Sequence, residues 1–128
     1  MREIRFRGKR LGTGEWVLGD LIHSINGIIE IGIAYDDQYG KRYMRFEVDP
    51  ATVGQFSGRK VRNNEVYQDD IGKSIDGLFL VVWDEEKAAF MMQYCDGERL
   101  CLEEMWDDSK IIGNIHDNPT LVQGGDER

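Results

Sequence analysis

Leu21-Ile22-His23-Ser24-Ile25-Asn26-Gly27-Ile28-Ile29-Glu30-Ile31-Gly32-Ile33-Ala34-Tyr35 is a run that folds back on itself. Both central residues of a two-residue type I′ turn need positive φ, and Asn-Gly is the dipeptide that tolerates this best. Asn26-Gly27 therefore predicts a hairpin joining Leu21–Ile25 to Ile28–Tyr35. After the turn, Ile29, Ile31, Ile33 and Tyr35 fall on one face, with Glu30, Gly32 and Ala34 opposite. That is the period of two of a half-buried strand.

The same period runs outward in both directions. Upstream, Ile4 and Phe6 alternate with Arg5 and Arg7, giving one apolar and one cationic face. Gly8 to Gly14 reads as a polar turn, and Glu15 to Ile22 as the strand that returns from it. Downstream, Asp36 to Gly40 makes a turn, and Tyr43 to Val48 alternates again. Asp49-Pro50 then breaks the pattern. Asp is a good N-cap acceptor and Pro fits the first helical position, so a single helical turn stopped near Gly54 is expected. Phe56 to Asn64 reads as a loop bearing Arg59, Lys60 and Arg62.

Leu78 to Trp83 is a continuous apolar run, the pattern of a strand buried on both faces. Asp84 to Lys87 turns it into Ala88–Tyr94. Arg99 to Trp106 and Lys110 to Ile115 follow as strands, and Gln123 to Arg128 as a polar, frayed tail. About eight to ten short strands at regular spacing and no long amphipathic helix make a mostly β fold. We read it as an antiparallel meander with at most short helical turns.

The chain has 128 residues, a length that fits one domain, with a possible subdomain seam near 57–65. Residues 1–64 carry 11 Lys/Arg against 8 Asp/Glu, net +3, and residues 65–128 carry 5 against 16, net −11; the two sum to the chain's −8. Such asymmetry suits a polar partner surface or subunits meeting head to tail. No run approaches the ~20 apolar residues of a membrane span. The start Met1-Arg2-Glu3-Ile4-Arg5-Phe6-Arg7 lacks the apolar core of a signal peptide. Two cysteines are too few for a secreted disulfide framework. A cytoplasmic location in a bacterial host cell, with no membrane contact, is the expectation.

Candidate chemistry is sparse. His23 and His116 are far apart. A hairpin with Asp96–Arg99 as its loop would set Cys95 and Cys101 on opposite faces, as buried or half-buried thiols, so neither a disulfide nor a metal site is expected. Ser24 follows His23 directly, and strand neighbours face opposite ways, which does not suit a triad. Gly12-Thr13-Gly14 lacks the Lys and the helix of a phosphate loop. The acidic runs Asp36-Asp37, Asp69-Asp70, Asp84-Glu85-Glu86, Glu103-Glu104 and Asp107-Asp108 sit mostly in turns, where solvation is their ordinary state. One constellation stands out: Arg2, Arg5, Arg7, Lys9 and Arg10 fall within ten residues beside Phe6. Such a stripe can contact a protein partner or grip a phosphate backbone, or it can guard a strand edge.

Four blocks in order resemble the YopX family of phage and prophage proteins. They are Met1–Gly8 with Thr13–Val17, Val48–Gly58, Glu65–Ile71 and Ile111–Pro119. The central block contains Asp49, Pro50, Thr52, Val53, Gly54, Gln55 and Gly58; the later ones contain Asp70, Ile71, Gly113 and Asn114. Asp69 stands where the family usually has Gly, and Asn63-Asn64 where it commonly has Asn-Gly. The resemblance implies a phage or prophage origin and an SH3-like barrel element within the mostly β fold. It carries over no catalytic residue and no cofactor, and its motif residues read as structural. The expectation is a non-enzymatic accessory protein that self-associates and binds a host or phage protein. Nucleic-acid binding through the basic strand is the alternative, and an enzyme of unrecognised type a remote one.

Overall fold

The computed structural model describes residues 3–105 and 108–121. Arg2, Trp106, Asp107 and the tail 123–128 lie outside the described residues. The fold is mostly β. Strands β1 (Phe6–Lys9), β2 (Trp16–His23), β3 (Ile29–Asp37), β4 (Gly40–Glu47), β5 (Gly54–Val61), β6 (Asn64–Tyr67), β7 (Asp70–Ser74), β8 (Gly77–Asp84), β9 (Ala89–Tyr94), β10 (Arg99–Cys101) and β11 (Lys110–Asn114) follow in chain order. Helical geometry among the described residues is confined to short 3-10 turns. The chain forms two compact units, one ending at Phe56 and the other beginning at Ser57.

In the first unit the hydrogen-bonded order is β4-β3-β2-β1, all antiparallel, and β5 begins beside β1 with Phe6 opposite Gln55 and Arg7 opposite Gly54. The Asn26-Gly27 turn is made as its chemistry demands. Asn26 has φ 62° and Gly27 φ 76°, and the Ile28 N–H donates to the Ile25 carbonyl at 3.3 Å. The strands stop one or two residues short of the expected bounds, at His23 and Ile29.

Gly8 and Lys9 belong to β1 and not to the turn after it. Gly8 packs on Val48, where an added Cβ would crowd the valine side chain. Past β1, Arg10 bridges Val48, Leu11 N–H donates to the Glu47 carbonyl at 3.1 Å, and Asp49 N–H donates to the Lys9 carbonyl at 2.9 Å. The edges of the sheet thus touch at one end. An SH3-like barrel is approached but not closed as a continuous ladder. Ile31 and Val48 are fully buried beneath it.

The second unit has the order β10-β9-β8-β7-β11, again antiparallel. Its core gathers Val61, Val66, Phe79, Val81, Met92, Tyr94, Leu102 and Met105. The run Leu78–Trp83 is buried on one face only. Phe79 and Val81 are fully buried, whereas Leu78, Leu80 and Val82 are half-buried and Trp83 is exposed. Trp83 packs edge-on against Phe90, ring centroids 5.0 Å apart.

Residues 56–61, read as loop, belong to β5. The burial alternates through Gly54 and Phe56, then changes phase to Val61 across Gly58, whose φ is +90°. A glycine with positive φ inside a strand marks a bulge, which accounts for the change of phase. Arg62 (φ 52°) and Asn63 (φ 67°) then form the two-residue turn into β6. Asp69 has φ 74°, so it accepts the left-handed backbone that a glycine takes without strain.

Candidate functional site

The described part of the basic strand does not stand open to solvent. The Arg5 guanidinium lies 5.2 Å from the Phe56 ring centroid, Arg7 lies 4.7 Å from Trp16, and Lys9 lies 5.6 Å from the same indole. Arg10 covers Phe46 at 4.5 Å and bonds Glu15 at 3.2 Å, while Arg5 pairs with Glu3 at 3.2 Å. Arg5, Arg7 and Lys9 do share a face, but aromatic rings from other strands line it. Cation–π contact with long aliphatic stems laid along apolar surface explains why all four cations are half-buried. Ile4, expected on the apolar face, is exposed.

The central motif builds a joint. Asp49 caps Pro50–Thr52, its carboxylate accepting from the Ala51 N–H at 3.1 Å. The buried Thr52 hydroxyl donates to the Asp49 carbonyl at 2.6 Å and accepts from the Lys9 N–H at 2.9 Å. Val53 ends the turn, Gly54 and Gln55 pair with β1, and Gly58 makes the bulge. Thr52→Val keeps the shape and removes the acceptor for a strand N–H. It should cost about 1–3 kcal/mol of unfolding free energy in a urea titration.

The later motif residues meet within the second unit. Asp70, buried, accepts from the Tyr67 N–H at 2.7 Å, and Ile71 is fully buried beside it. Asn114 pairs with Asp70 across the β7–β11 ladder. Its side-chain oxygen accepts from His116 N–H at 3.0 Å and Asp117 N–H at 2.9 Å. Gly113 sits at a register shift, where a Cβ would strike the Asn118 side chain. His116 Nε2 meets Asp69 Oδ2 at 3.0 Å. Sequence reasoning missed this pair because its members are distant along the chain; only the β7–β11 pairing brings them together. The whole set ties a turn together.

Other ionic contacts follow the same pattern. The Asp84 carboxylate accepts from the Lys87 N–H and from Arg99, each at 2.9 Å. The Lys87 backbone first, and Arg99 second, hold its carboxyl below the usual range. A depressed carboxylate contributes stability at neutral pH that is lost as acid protonates it. Asp84→Asn should therefore flatten the fall of the urea midpoint as pH is lowered from about 5 to 3. Glu30 is lowered by Ser24 first and Arg45 second, at 2.7 and 2.8 Å.

Cys95 and Cys101 are free and exposed, not buried. The β9–β10 hairpin pairs Gln93 with Arg99, Met92 with Leu100 and Met91 with Cys101. Tyr94 N–H donates to the Glu98 carbonyl at 2.9 Å, so the loop is Cys95-Asp96-Gly97 and shorter than expected. Gly97, at φ 90°, makes the tighter loop possible. An open groove of about 610 Å³ beside it is lined by Asp76, Leu78, Tyr94, Cys95, Glu98 and others. Among the described residues no three His, Cys, Asp or Glu side chains gather as metal ligands, and no helix is long and apolar enough to cross a membrane.

The surface that differs from these satisfied clusters is the β3–β4 hairpin. β4 is the edge strand of its sheet and is exposed along nearly all its length. Tyr35, Tyr43 and Met44 are each more than two-fifths exposed and Tyr39 is 76% exposed. Lys41, Arg42 and Arg45 are interleaved with them. A family model described as YopX protein matches residues 5–123. No curated protein matches the chain.

Proposed function

We propose, from the premise that the chain belongs to the YopX protein family, that it is a non-enzymatic interaction module whose docking element is edge strand β4. One observation carries this reading. Among the described residues no strand pairs with the outer edge of β4, which presents backbone groups along the strand as far as Glu47, where Leu11 bonds the carbonyl, and is flanked by exposed Tyr, Met and Arg side chains. An uncovered edge is a template for another strand. Strand addition supplies affinity through backbone bonds and specificity through alternate side chains. Tyr, Met and Arg are also the residues enriched where protein surfaces meet.

The non-enzymatic part is supported by what the polar clusters do. Asp69 with His116, Asp84 with Arg99 and Glu30 with Arg45 each brace a turn or a strand pair. The basic strand gives less support to nucleic-acid binding, since its cations already stack on Trp16, Phe46 and Phe56. The expected behaviour is reversible self-association in the micromolar-to-millimolar range, weak because one strand pair buries little area. Sedimentation equilibrium of the full chain tests it. The weight-average mass should climb toward twice the monomer mass as concentration rises. A mass that stays monomeric to millimolar protein at low and moderate salt overturns the proposal.

A further inference from the structure

We infer that the strand docking on β4 is the β4 of a second copy, paired antiparallel about a two-fold axis at Met44. This rests on the edge-strand reading above and fixes its partner and register.

The backbone restricts the choices first. Val48 N–H points inward to the Ile29 carbonyl, and the Glu47 carbonyl points outward, where it accepts from Leu11. Strand backbones alternate, so Lys41, Tyr43 and Arg45 also turn their N–H and C=O groups outward. A two-fold axis must pair outward residues with outward residues. With five or more residues overlapping, that axis passes at Arg42, Tyr43, Met44 or Arg45, given the strand's span Gly40–Glu47.

Charge then selects among them. An axis at Arg42 sets Arg42 against itself. One at Tyr43 sets Lys41 against Arg45, twice. One at Arg45 sets Arg45 against itself. Like charges directly opposite destabilise a strand pair. Only the axis at Met44 avoids all of these. It places Tyr43 opposite Arg45, Arg42 opposite Phe46, and Met44 opposite Met44, while Lys41 falls outside the ladder because the Glu47 carbonyl already accepts from Leu11. That set comprises two cation–aromatic pairs and an apolar centre, each duplicated or bisected by the symmetry.

The contacts already present fit this register. Glu30 holds Arg45 at 2.8 Å, on the face that Tyr43 shares. Tyr43 and Met44 are 49% and 41% exposed in the single chain, so both have apolar surface to lose. The Glu47 carbonyl is occupied by Leu11. The new ladder therefore stops short of Glu47, limiting the contact to residues 42–46 of β4.

Cysteine cross-linking in the full chain, with Cys95→Ser and Cys101→Ser to remove the exposed native thiols, tests the register. At the axis, two Met44→Cys residues would face each other in a pair without backbone bonds, with Cα atoms about 4.5 Å apart. A disulfide accepts about 4.4–6.8 Å. Two Tyr43→Cys residues would sit two positions out of line, roughly 8 Å apart, beyond that reach. Ile75→Cys, on a residue 82% exposed in the second unit, sets the rate of random collision. Under mild oxidation Met44→Cys should form covalent dimer at least about tenfold faster than both controls. If Tyr43→Cys matches or exceeds it, or Met44→Cys falls to the Ile75→Cys rate while sedimentation still shows a dimer, the register is overturned and the edge-strand function stands. A monomer throughout overturns both.

Discussion

Phe79→Ala should lower the free energy of unfolding by about 3–5 kcal/mol, a large part of the ~5–15 kcal/mol that holds a domain together. Phe79 is 1% exposed and joins the core of the second unit. Its ring tilts against Tyr94 with centroids 5.8 Å apart. On the other side it lies over Gly72, its cross-strand partner, where an added Cβ would overlap the ring. A glycine there serves as a floor for the phenyl group. This gives the prediction a second arm. Gly72→Ala alone should cost about 1–3 kcal/mol by overpacking. In the Phe79→Ala background the same change should cost nearly nothing, because the methyl then enters the space the ring left. Urea titrations of the two single variants and the double variant close this cycle. Additive losses would mean that the ring does not rest on Gly72.

Met44→Arg should leave the chain monomeric at concentrations where the unaltered protein dimerises. The substitution sets like charges opposite each other at the one axis that charge had left open, so every longer register of β4 on β4 becomes repulsive. Met44 is 41% exposed, and surface changes of this kind alter stability by only about 0.5 kcal/mol either way. The melting temperature should therefore stay close to the parent's while the dissociation constant rises about a hundredfold or more, equivalent to roughly 2.7 kcal/mol. Met44→Leu conserves size and apolarity and should retain association. Sedimentation equilibrium with a thermal melt on each variant separates loss of pairing from loss of fold. Unchanged dimerisation of the arginine variant would move the contact away from β4.

Much of the fold was legible because its causes are local. The Asn26-Gly27 turn forms because two adjacent residues tolerate positive φ. The Asp49-Pro50 turn forms because a carboxylate meets the Ala51 N–H and a proline needs no bond. Alternation set β3 and β4 for the same reason: side chains on successive strand residues face opposite ways. Asp69 was marked as standing at a glycine position, and the backbone there is indeed left-handed.

What the sequence could not settle depends on which strand arrives next to which. Residues 56–61 resemble a loop by composition, and they became strand through their neighbours in the ladder. Arg5, Arg7, Lys9 and Arg10 resemble a free cationic stripe until Phe56, Trp16 and Phe46 come up beneath them from other strands. The Asp69–His116 pair needs the β7–β11 ladder. Above all, the alternation of residues 40–47 announces a strand but says nothing about its place in a sheet. The sequence by itself determined the strands, the turns and the charges that β4 carries. Only the tertiary structure decided that β4 lies at an edge, since strand order is set by long-range pairing that no local residue pattern encodes.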